Sequence, residues 1–248
     1  MNAIRSTFVF AWMVISIIPF GSALLISSLF LDDIKLWKWF AVPWLRGVIG
    51  GARWLGGVGY RLQGEDNLPA ADDMQRIILC PKHQSTWETF YLSSMASHPL
   101  AYVFKRELLK IPIFGWCMGR LGMVYIDRTK GNQAWHKVAE QGQELMDRGK
   151  WMIMFPEGTR TERGSQGVYK HGATRLAIAT GAQIIPIAVT SARCWPRRSF
   201  WFRPGVIDVS VGKPISPENR EATEMMEEAE RWIEAEMRRL DPEAYADE

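Results

Sequence analysis

Short uninterrupted apolar runs alternate along most of this chain with stretches that repeat an apolar residue every three or four positions. Ile77 to Cys80, Leu100 to Phe104, Gly122 to Ile126, Trp151 to Phe155 and Ile184 to Thr190 have the length of buried strands. Tyr60-Arg61-Leu62 predicts an earlier strand, closed by the polar run Gly64 to Asn67. Between them, Thr86 to Ala96, Pro112 to Leu121 and Ala173 to Thr180 read as helices. Asn132 to Arg148 places Trp135, Val138, Gly142 and Leu145 on one face, with Gly149 as the stop. Val206 to Val211 alternates like a strand with one solvated side. Ser216-Pro217 predicts the cap of a last amphipathic helix over 216–240, with Ala222, Met226, Ala229, Ile233, Met237 and Leu240 on its apolar side. Strand and helix in alternation predict an α/β fold over 59–248, a mixed, largely parallel β-sheet flanked by helices.

The first 58 residues have another pattern. Phe8 to Leu31 holds 24 residues without a formal charge, bounded by Arg5 and by Asp32-Asp33. At about 1.5 Å per residue that run is long enough to cross a hydrocarbon core of about 30 Å. Pro19-Phe20-Gly21 predicts a kink in it, so a half-buried hairpin is the alternative, and a signal peptide is a third reading. Behind it, Trp37, Trp39, Phe40, Trp44 and Trp54 alternate with Lys35, Lys38, Arg46 and Arg53. Tryptophan beside cations suits a lipid headgroup layer, and an amphipathic helix packed on the domain is the plainer reading. Residues 1–58 are thus expected to be a membrane-anchoring helical region. More cations follow the apolar run than precede it, which places the remainder in the cytoplasm. The expected location is the inner (cytoplasmic) membrane, with the functional site facing the cytoplasm.

Charge sharpens this picture. The net charge is +3, yet residues 215–248 carry 12 acidic and 4 basic side chains, so residues 1–214 carry a net +11. A basic body suits anionic partners, phospholipid headgroups among them. No nucleic-acid-binding fingerprint accompanies it. The three cysteines show no Cys-x-x-Cys, and the four histidines show no metal-ligand spacing, so neither a disulfide framework nor a metal is expected.

Candidate chemistry sits where strands end. Cys-Pro-Lys-His-Gln-Ser-Thr-Trp-Glu, residues 80–88, passes from a strand to a helix and sets His83 five residues before Glu88. A carboxylate there can hold one imidazole nitrogen and leave the other free as a base. Ser85 lacks the Gly-x-Ser-x-Gly elbow of a serine nucleophile. Gly122 to Arg128 ends a strand on a cation, Phe155-Pro-Glu-Gly-Thr-Arg160 does so again, and Pro186 interrupts an apolar strand. A proline in such a strand forfeits a ladder bond, which suits a sheet edge or a binding groove.

These four blocks together resemble the four motifs of the glycerolipid acyltransferases, in order and spacing, across roughly residues 60–215. His83 to Glu88 resembles the His-x4-Asp motif, with Glu in place of the usual Asp. The resemblance, strongest to the bacterial members acting on lysophosphatidate, implies acyl transfer from acyl-CoA or acyl carrier protein to the free hydroxyl of 1-acylglycerol 3-phosphate, giving phosphatidate, without a further cofactor. It implies His83 as base, Glu88 as its orienting partner, and Lys105, Arg128, Glu157, Gly158, Thr159 and Arg160 around the glycerol phosphate. Pro186 would shape the acyl-donor groove, and backbone N–H groups near the start of the helix after Ser85 would stabilise the oxyanion. Glycerol 3-phosphate or another lysolipid remains open as acceptor. A non-catalytic lipid-binding protein is the reading of a different class.

Overall fold

The computed structural model describes residues 2–126 and 131–246; for Lys105, Ile126 and residues 131–134 it describes the backbone alone. Seven strands form one sheet: β1 (Val58–Gln63), β2 (Ile77–Pro81), β3 (Leu100–Lys105), β4 (Val124–Ile126), β5 (Trp151–Ile153), β6 (Gln183–Val189) and β7 (Gly205–Val211). Their spatial order is β1-β7-β6-β2-β5-β3-β4. The five strands from β6 to β4 are mutually parallel, while β7 runs antiparallel to β6 and β1 runs with β7. β2 is buried at every position, because it lies mid-sheet with helices over both faces.

One face carries α1 (Asn2–Ser27), α3 (Val42–Trp54), α4 (Trp87–Met95) and α5 (Phe114–Arg120); a short α2 (Asp33–Leu36) and a π-helical turn, Trp37–Ala41, join α1 to α3. The other face carries α6 (Gly131–Asp147), α7 (Gly172–Thr180) and α8 (Ala222–Leu240). Val9, Leu24, Trp37 and Trp44 belong to the same core as Ile77, Leu79 and Ile185 of the sheet. The N-terminal region and the α/β domain therefore share one core.

Polar and small residues fasten α1 along that face. Ser6 Oγ accepts the Phe202 amide at 2.7 Å, Ser16 Oγ accepts the Trp44 indole N–H at 3.1 Å, and the Trp12 indole N–H reaches Gly47 O at 2.9 Å. A Cβ on Gly51 would come within 2.4 Å of the Trp12 ring, so only glycine lets the two helices approach. The opposite side of α1 leaves Ile4, Phe8, Ile15, Ile18 and Ile26 more than half exposed. By length and composition α1 is one helix able to cross a membrane. It continues through Pro19 as a single helix, so the hairpin alternative does not occur.

Three other expectations change. The tryptophans after α1 divide: Trp37 and Trp44 are core residues, while Trp39 and Trp54 are exposed. β7 has no solvated side beyond its first residues, since Asp208 and Ser210 are buried. Asp208 meets Arg61 at 2.7 Å and Arg193 at 3.1 Å, and Ser210 donates to Glu236 at 2.6 Å. The last helix begins at Ala222, capped by a Glu221–Glu224 box. Ser216 serves a turn instead, accepting the Glu218 amide, and Asn219 at φ 55° breaks the chain before the helix.

Candidate active site

Because β2, β5, β3 and β4 are parallel neighbours, the segments leaving their C-terminal ends gather at one edge of the sheet. His83 lies two residues past β2. Its Nδ1 is 2.9 Å from Glu88 Oε1, and its ring stacks on Phe155 with centroids 3.8 Å apart. Nε2 has no hydrogen bond among the described residues, and the side chain keeps 15% of its surface open, so the free nitrogen faces outward. Glu88 is fully buried in the first turn of α4, where the helix N-terminus favours a carboxylate. Its Oε1 accepts the amides of Gln84 at 2.8 Å and Ser85 at 2.6 Å besides the imidazole. Three donors on one oxygen hold the carboxylate still.

The segment after β5 grips the main chain of the same histidine. Glu157 Oε2 accepts the His83 amide at 2.8 Å, and the Thr161 amide donates to His83 O at 2.8 Å. Thr161 Oγ1 donates to His83 O as well, at 3.2 Å. Glu157 is buried with Lys82 Nζ 2.7 Å from its Oε1. Burial pushes the Glu157 carboxyl upward in pKa, and the Lys82 ammonium pulls it back.

The sequence model of the acyltransferase family matches residues 59–190. A 1-acyl-sn-glycerol-3-phosphate acyltransferase of Pseudomonas aeruginosa is 36% identical over 212 residues, 84% of this chain and 78% of that protein. The chain belongs to the acyltransferase family. A 1-acyl-sn-glycerol-3-phosphate acyltransferase of Saccharomyces cerevisiae is 30% identical over 71% of this chain and 57% of its own length. The crystal structure of the 1-acyl-sn-glycerophosphate acyltransferase PlsC from Thermotoga maritima superposes with a TM-score of 0.81. It covers 97% of this chain and 96% of its own at 21% identity, a likeness of fold.

In this acyltransferase the other motif residues take varied places. Gly158 closes a turn at φ 66°, a conformation that glycine adopts without strain, with the Lys170 ammonium beside it. Thr159 is exposed and Arg160 half-buried; among the described residues the Arg160 guanidinium makes no ion pair, while its carbonyl accepts from Arg197 at 2.7 Å. Lys105 is the last residue of β3 and its side chain lies outside the described residues, as does Arg128, two positions beyond β4.

Three expectations are redirected by this geometry. Glu157 offers nothing to a phosphate, because both its oxygens are engaged inside the protein and its charge is of the wrong sign. Pro186 shapes no groove: it is buried in mid-sheet β6 opposite Cys80, and it lies so close to Gly212 that a Cβ there would meet its ring at 2.8 Å. The oxyanion amides are mostly committed. Those of His83, Gln84 and Ser85 go to Glu157 and Glu88, and that of Trp87 donates to Ser85 Oγ at 3.2 Å. Ser85 itself is buried as that turn's acceptor. Sequence reasoning missed Lys82, Thr161 and Glu234 as neighbours of the site. The one available signal was Lys82 standing directly before His83.

Proposed function

We propose that this chain transfers an acyl group from a thioester of coenzyme A or acyl carrier protein to the free hydroxyl of 1-acylglycerol 3-phosphate, giving phosphatidate. The observation that carries the reading is His83, with Nδ1 held by a buried carboxylate and Nε2 uncommitted at the mouth of the parallel strands. Nε2 takes the hydroxyl proton as that oxygen attacks the thioester carbonyl. Glu88 stabilises the imidazolium that forms. Collapse of the tetrahedral intermediate expels the thiolate, which His83 reprotonates. The relatives' activity supports the acceptor, since their names specify the 1-acyl-sn-glycerol 3-phosphate substrate. Arg160, with Lys105 and Arg128 as the other motif cations, holds the phosphate, which suits guanidinium groups.

Acyl transfer followed by mass spectrometry, with a panel of lysolipids, glycerol 3-phosphate and both donor types, tests the reading. Product from lysophosphatidate should dominate. Arg160→Ala should raise the KM for that acceptor roughly ten- to hundred-fold, the value of one charge-assisted contact, and change donor KM far less. An acceptor KM left unchanged by Arg160→Ala counts against the phosphate assignment.

The anchoring reading is that α1 lies along the bilayer surface, its inner side held to the domain and its outer side in lipid. Its fastening at Ser6, Trp12 and Ser16 supports this over a helix standing clear of the domain. The exposed Trp39 and Trp54 supply further apolar surface. Phe8→Glu and Ile15→Glu should each weaken vesicle flotation roughly ten- to hundred-fold, the transfer free energy of one large apolar side chain. Flotation equal to the parent's in the double variant would refute it.

A further inference from the structure

Directly before the base, Lys82 is wholly buried, on a chain that has just left mid-sheet β2. Its ammonium lies 2.7 Å from Glu157 Oε1 and 2.7 Å from Glu234 Oε1, and donates to Ser165 O at 3.0 Å. Glu234 belongs to α8, on the face of the sheet opposite the N-terminal helices. Its Oε1 also accepts the Tyr169 hydroxyl at 2.7 Å, and its Oε2 is buried with no partner among the described residues. Two carboxylates thus share one ammonium away from water. As a device for stability this is a poor arrangement, because desolvating such charges costs as much as their attraction returns. Its connections point to another role. The far oxygen of Glu157 holds the His83 amide, so a line of contacts runs from α8 through Lys82 and Glu157 to the main chain of the base.

We propose that Lys82, held in place by Glu234 of α8, is a positioning residue for His83 that acts through Glu157. The ammonium keeps Glu157 ionised and aimed, and only the ionised carboxylate is a strong acceptor for the His83 amide. The groups facing Glu157 are Lys82, Glu234, Tyr169 and Cys80, together with the His83 main chain and the neutral Thr161. Lys82 favours the charged form of Glu157 and the charge on Glu234 opposes it. Removing each should therefore move the ionisation of Glu157 in opposite directions. A purely structural role has no reason to carry those opposite shifts into the acid limb of turnover. The proposal rests on His83 being the base, and its test carries a readout independent of turnover.

Detergent-solubilised full-length protein, labelled with ¹⁵N at its four histidines, is titrated while the His83 amide signal is followed. Turnover and acceptor KM are measured against pH in the same samples. Lys82→Met should move the midpoint of the His83 amide titration, and the acid limb of turnover, to higher pH. Turnover at neutral pH should fall about ten- to hundred-fold with acceptor KM within twofold, and recover as pH rises. Glu234→Gln keeps volume and an acceptor for Lys82, and should move both midpoints to lower pH. Adding Glu157→Gln to Lys82→Met should remove the step that Lys82→Met moved and leave only the response of the amide to the imidazole of its own residue. If Lys82→Met does not fold, Glu234→Gln decides alone. Midpoints unmoved, or moved in the same direction by both substitutions, overturn the proposal. A His83→Ala variant that turns over normally overturns the base reading instead, whatever the amide signal does.

Discussion

His83→Ala should lower acyl-transfer turnover by about 10²- to 10⁴-fold, the range that a positioned general base contributes, while the protein remains folded. The fold is safe because the imidazole closes no core: it keeps part of its surface open and its main chain is held by Glu157 and Thr161. Glu88→Gln tests the carboxylate's charge. An amide oxygen can still accept from Gln84 and Ser85, but the imidazolium formed during attack loses its counter-charge, and an amide N–H turned toward Nδ1 selects the wrong tautomer. The analogous change in a Ser-His-Asp triad costs about 10⁴ in turnover. The loss here should be smaller, since the attacking alcohol belongs to the substrate. Glu88→Asp keeps the charge but falls one methylene short of three donors now within 2.9 Å. It should lie between the parent and Gln. Steady-state acyl transfer with circular dichroism checks the series, and a folded His83→Ala variant with parent turnover would falsify the base assignment.

Asp33→Ala should cost about 3–5 kcal/mol of stability, because it strands a buried ammonium. Lys150 is 2% exposed, donates to Asp33 Oδ2 at 2.6 Å and to Leu121 O at 2.8 Å, and is held down in pKa chiefly by burial. Arg148 reaches the other Asp33 oxygen. In a protein of this size such a loss lowers the melting temperature by on the order of 10 °C. Lys150→Met in the Asp33→Ala background should restore most of it, since a paired deletion removes the stranded charge. The pH dependence has a definite sign. Lys150 binds its proton less tightly folded than unfolded, so stability rises with pH towards the unfolded lysine value of about 10.4. The slope should be steeper in Asp33→Ala, where the group that favoured the charged form is gone. Thermal unfolding from pH 7 to 10 measures both effects. Additive losses in the double variant would show that the two side chains do not support each other.

The parts legible in the sequence are those where one physical signal dominates. Ile77 to Cys80 and Ile184 to Val189 are apolar throughout because strands buried on two faces have no polar side to show. The pairing of His83 with Glu88 was legible because five residues bridge one tight turn. What failed involves partners distant in sequence. Asp208 and Ser210 look like a solvated face until Arg61, Arg193 and Glu236 arrive to cover them. Trp37 and Trp39 are two residues apart in one π-helical turn, and which of them meets the core is set by the helix's path. Lys82 is the plainest case. Lysine is almost never fully buried without a partner, and one of the two carboxylates that partner it here stands 152 residues away.

The order of strands in space has a consequence for synthesis. β2 leads into His83, yet its neighbours are β5 and β6, both encoded far downstream. When Ile77–Pro81 leaves the ribosome, neither edge of that apolar strand has a partner, and β3, the next strand made, pairs with β5 and not with it. At ordinary elongation rates the gap lasts on the order of ten seconds. An unpaired apolar edge is a template for aggregation over that interval. Until Glu157 and Thr161 have docked, the loop bearing His83 also lacks the grip on its main chain, so the position of that histidine is fixed only after the centre of the sheet has closed.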